Sequence, residues 1–311
     1  MTMDKSLAII IPAYKSRFLD QALESVARQT CQDFTLYVGD DNSPEDLFSI
    51  VRNYKDRIAI IYKKFETNLG GKDLPAHWER CVEMAKEPYI YLFSDDDIMP
   101  CDIVERFLKT LDQHPGHGFF RMQLAVIDQD NNITRCNQPL QKENTDARTL
   151  LLDKLSCRAT SAACEYIFSA KLFKTTGGFV HFPHAWCSDD ATWFRMAKAA
   201  GGAVSIKGYP ALWRNVANCN ISDSTEFDHD KEKATALFIE WLAKNYPELN
   251  KDKEFISGLY TYVRCILDIS LAGKYSRKGL DEICNALGRF SRRAASRVRF
   301  KSIIHRQHKR Q

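Results

Sequence analysis

The chain has 311 residues, 44% hydrophobic and 27% charged, the balance of a soluble globular protein that buries a real core. With 44 Lys and Arg against 40 Asp and Glu, the net charge of +4 excludes a polyanion binder over the whole molecule, and no nucleic-acid partner is expected. Ten cysteines without a C-x-x-C pair argue against a zinc site or disulfide framework and for buried, reduced thiols. The opening "MTMDKSLAIIIPAY" has too short an apolar run before Pro12 for a signal peptide, and no stretch approaches a membrane span. A cytoplasmic protein is the expectation.

Taken in chain order, "LAIII" (Leu7 to Ile11) reads as a buried strand. Phe18, Leu19, Ala22, Leu23, Val26 and Ala27 then recur at helical spacing. "FTLYV" (Phe34 to Val38) is the second strand, and Ser43, Pro44 and Asp46 predict a helix start with Ser43 as the cap. "IAIIY" (Ile58 to Tyr62) is a third strand, followed by a helix over Trp78 to Lys86. "YIYLF" (Tyr89 to Phe93) is a fourth, followed by a helix over Ile103 to Leu111. Alternation of this kind predicts βαβ units and a mostly parallel sheet with flanking helices. Beyond residue 115 the pattern changes. "GFFRMQLAVIDQDNNIT" predicts a long strand turning at Asp130–Asn132, and "SDDATWFRMAKAAGG" a helix from about Ser188 to Gly201–Gly202. From about Glu226 onward the pattern is helical.

Ligands of open parallel sheets collect at the carboxyl ends of the strands. Those ends read "PAYKS", "GDDNSPED", "ETNLGG" and "SDDD", so acids and turn residues cluster at the last three. Asp95, Asp96 and Asp97 repel one another and would titrate high unless a cation neutralised them. A hard divalent ion, Mn²⁺ or Mg²⁺, is the matching partner; a solvated turn ahead of the helix at Cys101–Asp102 is the simpler alternative.

The succession "LAIIIPAYKSRFLDQALESVARQTCQDFTLYVGDDNSPED", "NLGG" and "YIYLFSDDD" resembles the inverting family two glycosyltransferases with the GT-A fold, closely over about the first 115 residues and loosely to about residue 222. The resemblance implies a Rossmann-like, mostly parallel sheet and a C-terminal helical region. It divides the part it covers into a nucleotide-sugar-binding half (1–115) and an acceptor and catalytic-base half (116–225), after which the sequence pattern itself marks off a helical region (226–286) and the charge a basic tail (287–311). It implies a nucleotide-sugar donor, UDP- or GDP-linked, and a saccharide or lipid-linked acceptor in cell-surface polysaccharide assembly. Pro12, Ala13 and Tyr14 would cradle the nucleoside, and Asp40 would hydrogen-bond the base edge. A carboxylate accepting from a ring N–H favours uracil or guanine over cytosine. Asp41 is read as turn chemistry. Asn68, Gly70 and Lys72 would form a loop on the donor side, against the alternative of a plain surface turn. The family's D-x-D falls on Ser94 and Asp96, so Asp96 is the leading metal ligand, Asp97 a second, and Asp95 is placed with the donor. Arg214, in "WRNVANCNIS", would reach the diphosphate. The catalytic base falls in "WCSDDATWFR": counting back from Arg195 gives Asp189, and matching the acidic pair gives Asp190. Both also suit a helix N-terminus for reasons of folding alone. Trp186, His181 and His184 are assigned to packing and loop structure.

Two other functions fit parts of the pattern. A nucleotidyltransferase would want a glycine-rich phosphate loop after the first strand, and "PAYKS" has no glycine. A non-catalytic carbohydrate- or nucleic-acid-binding protein would not need the strand-end acids. The segment from Leu287 to Gln311 holds nine Lys or Arg and no acid, leaving −5 for the rest of the chain. Its interleaved Phe290, Val298, Phe300, Ile303 and Ile304 suggest a separate interfacial helix on an anionic membrane surface, so a peripheral position on the inner membrane face is a further expectation.

Overall fold

A computed structural model describes residues 5–216 and 225–308, without the side chains of 303–308. It resolves into two compact units that interleave along the chain. Unit one takes Met1–Ala147, Ser161–Val180 and Thr192–Asn215; unit two takes Arg148–Thr160, His181–Ala191 and Val216–Gln311. The consecutive segments expected from the sequence are therefore not the compact units, because 148–160 and 181–191 belong with the C-terminal helices.

The described strands are β1 (Leu7–Ala13), β2 (Phe34–Asp40), β3 (Ile60–Lys64), β4 (Tyr89–Leu92), β5 (Phe119–Ile127), β6 (Ile133–Cys136), β7 (Asn144–Thr145), β8 (Tyr166–Ser169) and β9 (Ala203–Arg214). The helices are α1 (Leu19–Ala27), α2 (Leu47–Val51), α3 (Leu74–Val82), α4 (Ile103–Gln113), α5 (Ala147–Leu155), α6 (Ala170–Thr176), α7 (Ser188–Ala200), α8 (Asp228–Asn245), α9 (Lys253–Cys265), α10 (Arg277–Gly288) and α11 (Arg292–His308).

All strands lie in one sheet of unit one, ordered β3-β2-β1-β4-β8-β5-β9-β7, with β6 on β5. β1 to β4 are mutually parallel, β8 runs against both β4 and β5, and β9 is parallel to β5. Two reversals restore direction, so β9 ends at the same edge as β1 to β4. Every residue from Leu7 to Ile11 is fully buried, which accounts for a continuous apolar run where a half-exposed strand would alternate. α1 buries Leu19, Ala22, Leu23 and Val26, a stripe of one face, and α4 buries Ile103, Val104 and Phe107.

Several boundaries differ from the sequence expectations. The third strand starts at Ile60, not Ile58. α2 is capped by Asp46, which accepts from Ser49 N at 3.1 Å, because the Ser43 hydroxyl donates instead to the Tyr14 carbonyl at 2.6 Å. α3 spans 74–82 rather than 78–86, with Asp73 accepting from Ala76 N at 3.2 Å and Pro75 in the first turn. The turn at Asp130–Asn132 is present between β5 and β6, and α7 begins at Ser188 and stops at Gly201 and Gly202, whose φ angles are 77° and 122°. Of the described thiols, all free, Cys101, Cys136 and Cys157 are exposed, so burial holds for only part of the cysteine set.

In unit two α10 packs on α8 and α11, and α9 on α11. Glu232 of α8 is 2% exposed and fixes the start of α10: its carboxylate accepts from Ser276 N at 2.7 Å and from the Ser276 hydroxyl at 2.5 Å. α11 is not a detached tail. Phe290, Ala294, Ala295 and Val298 are buried, so of the apolar residues expected to face lipid Phe290 and Val298 are used inside the unit, while Phe300 faces outward with Arg292, Arg293, Arg297, Arg299 and Lys301. No helix of the described residues is long and apolar enough to cross a membrane.

A Cβ on Gly279 would fall 1.8 Å from Glu232 Oε2. Gly279→Ala is therefore expected to displace Glu232 and cost about 1–3 kcal/mol, measured as a lower denaturation midpoint by circular dichroism.

Candidate active site

At the carboxyl edge of the sheet, acids emerge from β2 and β4 and meet the loops after β1 and β3 and the last residue of β9, Arg214. Asp40 is fully buried. One oxygen accepts from Ser43 N at 2.7 Å; the other accepts from the Tyr62 hydroxyl and lies 4.0 Å from Lys64 Nζ. With both oxygens engaged it shapes the turn, so the structure does not present it to a base edge as the resemblance implied. Asp41 does more than close its own turn. It accepts from Leu69 N and Gly70 N, each at 2.8 Å, and from the Arg80 guanidinium. Burial pushes the His77 pKa down to about 4, so the ring is neutral and its Nδ1 accepts from Arg80 Nε at 2.9 Å. Gly70 is needed for this approach, since a Cβ there would sit 2.7 Å from Asp41 Oδ2. Asn68 closes the same loop by accepting from Gly71 N at 2.8 Å, while Lys72 is exposed, with its backbone amide on the Leu69 carbonyl at 2.9 Å.

The loop after β1 is held at three points. Asp95 Oδ2 accepts from Tyr14 N at 2.8 Å and Lys15 N at 3.0 Å, Glu45 accepts from Ser16 N at 2.8 Å, and Ser43 secures the Tyr14 carbonyl. Ala13 is buried and Pro12 half-buried, whereas the Tyr14 ring is 40% exposed and open to a ligand.

The triplet thus divides into different jobs. Asp95 braces the β1 loop. Asp97 is 1% exposed; one oxygen accepts from Arg214 N at 2.8 Å, and the other has no hydrogen-bond partner of good geometry. Burial pushes Asp97 up to about 6, opposed by the Arg214 amide. Asp96 is half-buried, and its carboxylate makes no hydrogen bond or ion pair with a described residue. Burial first, then the charges of Asp97 and Asp95, hold its pKa well above the ordinary range. Asp95 is also raised by burial, despite its two amide donors.

Arg214 differs from its expected role. Its guanidinium is fully buried and donates to the Asp96 carbonyl at 2.6 Å, the Asp128 carbonyl at 2.8 Å, Asn131 Oδ1 at 2.6 Å and Gln21 Oε1 at 3.1 Å. It also lies over the Phe18 ring at 4.2 Å. A guanidinium spent this way ties loops together and has no free face for a diphosphate. Residues 217–222 of that expected segment lie outside the described residues.

Among the described residues no three His, Cys, Asp or Glu side chains converge as a ready-made metal cage. An unpartnered Asp96 carboxylate beside an orphaned Asp97 oxygen fits the other way of holding Mg²⁺ or Mn²⁺, in which one or two carboxylates are completed by phosphate oxygens of the substrate.

Unit two carries the second acidic pair at the start of α7. Asp189 is half-buried and Asp190 8% exposed. Lys154 of α5 approaches Asp190 Oδ1 at 3.4 Å, and Asp189 accepts from Asp190 N at 2.9 Å. Burial and then the Asp190 charge push Asp189 up to about 7, with Lys154 pulling the other way. Burial lowers Lys154, but the two carboxylates outweigh it and its pKa is raised, so it stays a cation. The preceding loop holds His184, Ala185 and Cys187 at φ of 51°, 57° and 65°, a concentration of left-handed non-glycine backbone that the surroundings must enforce. They do so through His184 on Asp230 at 3.0 Å, Trp186 Nε1 on Thr235 at 3.1 Å and Cys187 against the Tyr262 hydroxyl at 3.0 Å. Lys154 escaped sequence reasoning because it lies far from Asp189 in the chain, on a helix with no motif. Asp41 escaped because its partners follow a third strand. The acid pair "DD" at position 40 was the available signal for Asp41.

Residues 8–171 match the family model described as "Glycosyl transferase family 2". A poly(ribitol-phosphate) beta-N-acetylglucosaminyltransferase, TarS, of Staphylococcus aureus is 24% identical over 305 residues, covering 94% of this chain and 50% of that protein. A GalNAc(5)-diNAcBac-PP-undecaprenol beta-1,3-glucosyltransferase of Campylobacter jejuni is 26% identical over 135 residues, 42% of this chain and 41% of that protein. The chain spans about half the length of these curated relatives. Among solved structures, S. aureus TarS in complex with UDP-GlcNAc superposes with a TM-score of 0.69 at 16% identity, covering 94% of this chain and 82% of that one. A Pyrobaculum calidifontis mannosyltransferase in complex with GDP-Man and Mn²⁺ gives 0.53 at 13% identity, over 97% and 88%. These likenesses establish the GT-A-like fold, and with the family match over more than half of its length the chain belongs to glycosyl transferase family 2.

Proposed function

We propose that the chain transfers a sugar, with inversion, from a nucleoside-diphosphate donor to a saccharide or lipid-linked acceptor in cell-surface polysaccharide assembly, with a divalent cation at Asp96. The observation that carries this reading is the Asp96 carboxylate, without a hydrogen bond or ion pair to a described residue, next to Asp97, one of whose oxygens is also unbonded, while Asp95 braces the β1 loop. A folded protein has no structural use for such a charge, and a cation bound with a diphosphate gives it one. UDP is the preferred nucleotide because a TarS structure carries UDP-GlcNAc; GDP is the alternative, on the strength of the mannosyltransferase complex. The braced loop at Tyr14 to Ser16, with the exposed Tyr14 ring, is the surface offered to the nucleoside. When bound, the cation supplies positive charge to the departing diphosphate.

Asp189 is the proposed base. As the acceptor hydroxyl attacks the anomeric carbon, its proton passes to the Asp189 carboxylate, while the carbon–oxygen bond to the diphosphate breaks on the opposite face. The Asp190 amide donates to that carboxylate, and Lys154, paired with Asp190, adds a nearby positive charge. α11 is proposed to meet an anionic membrane by charge rather than by insertion, because Ala294, Ala295 and Val298 are packed inside unit two.

With Mn²⁺ and a panel of nucleotide sugars, the protein should bind and turn over one UDP-sugar. Asp96→Ala should abolish the Mn²⁺-dependent part of donor affinity in calorimetric titration; undiminished affinity would sink the Asp96 assignment. The pH profile tests the base. Asp189 must be ionised to accept a proton, so kcat/KM should rise as pH climbs through about 7 and level off above it. Asp190→Asn removes a negative neighbour, makes ionisation of Asp189 easier and should move that limb to lower pH. Asp189→Asn should lower kcat by roughly 10²-fold or more without weakening donor binding. Flotation with vesicles containing anionic phospholipid should show binding that 0.5 M salt removes, about three times the ionic strength at which surface charges are already largely screened; salt-resistant binding would mean insertion instead.

A further inference from the structure

We propose that Cys157 and Cys265 form a reversible disulfide joining two helical segments of unit two. Their sulfur atoms lie 2.7 Å apart although the residues are separated by 108 positions in sequence. Cys157 follows the end of α5 in left-handed backbone, φ 55°, and Cys265 is the last residue of α9, directly before the π-helical turn Ile266–Ser270. Neither residue is needed as a core filler. Cys157 is exposed and Cys265 half-buried, whereas Cys81, Cys164, Cys187 and Cys284 are buried. The remaining exposed thiols, Cys101 and Cys136, have no cysteine recorded beside them among the described residues, so the pair at 157 and 265 stands apart from the rest of the set.

The position gives the bond a consequence. α5 carries Lys154, the partner of Asp190, and α9 carries Tyr262, whose hydroxyl contacts the Cys187 sulfur. A covalent link between the ends of these two helices would join the elements that hold the Cys187–Asp190 turn from two sides.

The chemistry balances with a disulfide oxidant such as oxidised glutathione. The accessible Cys157 thiolate attacks the glutathione disulfide, its S–S bond breaks and one glutathione thiolate leaves. The Cys265 thiolate then attacks Cys157 sulfur in the mixed disulfide and expels the second glutathione. Two protein thiols are oxidised by two electrons and two glutathione thiols are produced. The second step is unimolecular and starts from sulfurs already in contact, so the mixed disulfide should not accumulate.

The folded full chain incubated with excess oxidised glutathione, trapped by alkylation and digested without reductant, is the test. The expected mass spectrum has one dominant cross-linked peptide joining Cys157 to Cys265, lost on treatment with dithiothreitol. Cys265→Ser should instead leave Cys157 as a stable glutathione adduct. In 8 M urea the same oxidation should scatter over many pairs and form this one at least tenfold more slowly. A wild-type protein that keeps glutathione on Cys157, leaves both thiols open to alkylation, or forms the pair equally fast in urea would overturn the proposal.

Discussion

Negative charge buried at the edge of a sheet has to be met by donors, and unit one meets it with main-chain amides. Asp40 takes the amide of Ser43, Asp41 those of Leu69 and Gly70, Asp95 those of Tyr14 and Lys15, and Asp97 that of Arg214; the exposed Glu45 does the same for Ser16. Hydrogen bonds to a charged group contribute about 1.5–3 kcal/mol each, so each of these acids fixes a neighbouring segment, and all but Asp97, which keeps one unbonded oxygen, are satisfied in doing so. The loops around the proposed donor site are therefore set by the same carboxylates that a reader of the sequence would assign to the ligand.

This division explains the pKa pattern. Asp95 and Asp97 are raised by burial but opposed by amide donors, and the Asp97 value stays near 6. Asp96 has no such donor, and its neighbours are themselves acidic, so it is raised well above the ordinary range. A group in that position either holds a proton or waits for a cation. Arg214 does not resolve the conflict, because its guanidinium is committed to carbonyls and amides around it. It acts as a fixed positive field behind the triplet while holding the loops after β5 and β4 together.

Elements whose identity depends on a local pattern were legible in the sequence. The buried runs at Leu7, Phe34 and Tyr89, the stripe of α1, the turn after β5 and the start of α7 all follow from periodicity or turn chemistry within about ten residues. Boundaries failed where a polar side chain had two possible partners. Ser43 suits a cap because a proline follows it, yet its hydroxyl bonds the Tyr14 carbonyl across the strand edge and Asp46 takes over the cap. The site was legible at the level of residue type and position, as acids at strand ends. Which acid braces and which is free depends on loops far apart in the chain, and no local pattern encodes that. Lys154 illustrates the limit, since its meaning comes only from meeting Asp190.

The basic C-terminal segment shows why composition can support two structures. Phe290, Ala294, Ala295 and Val298 recur at intervals that suit either a membrane interface or a protein groove, and arginines between them suit both. The choice falls to whether another apolar surface within the chain can cover that stripe. In unit two α9 and α10 supply it, and Val298 is fully buried. What remains outside is charge: five cations among residues 292–301, with Phe300 the exposed exception. Such a surface attracts anions at a distance set by ionic strength and has little apolar area with which to enter a bilayer. Over residues 292–302 the apolar face is spent on the fold apart from Phe300, so what this stretch offers a membrane is chiefly charge, a force that salt weakens.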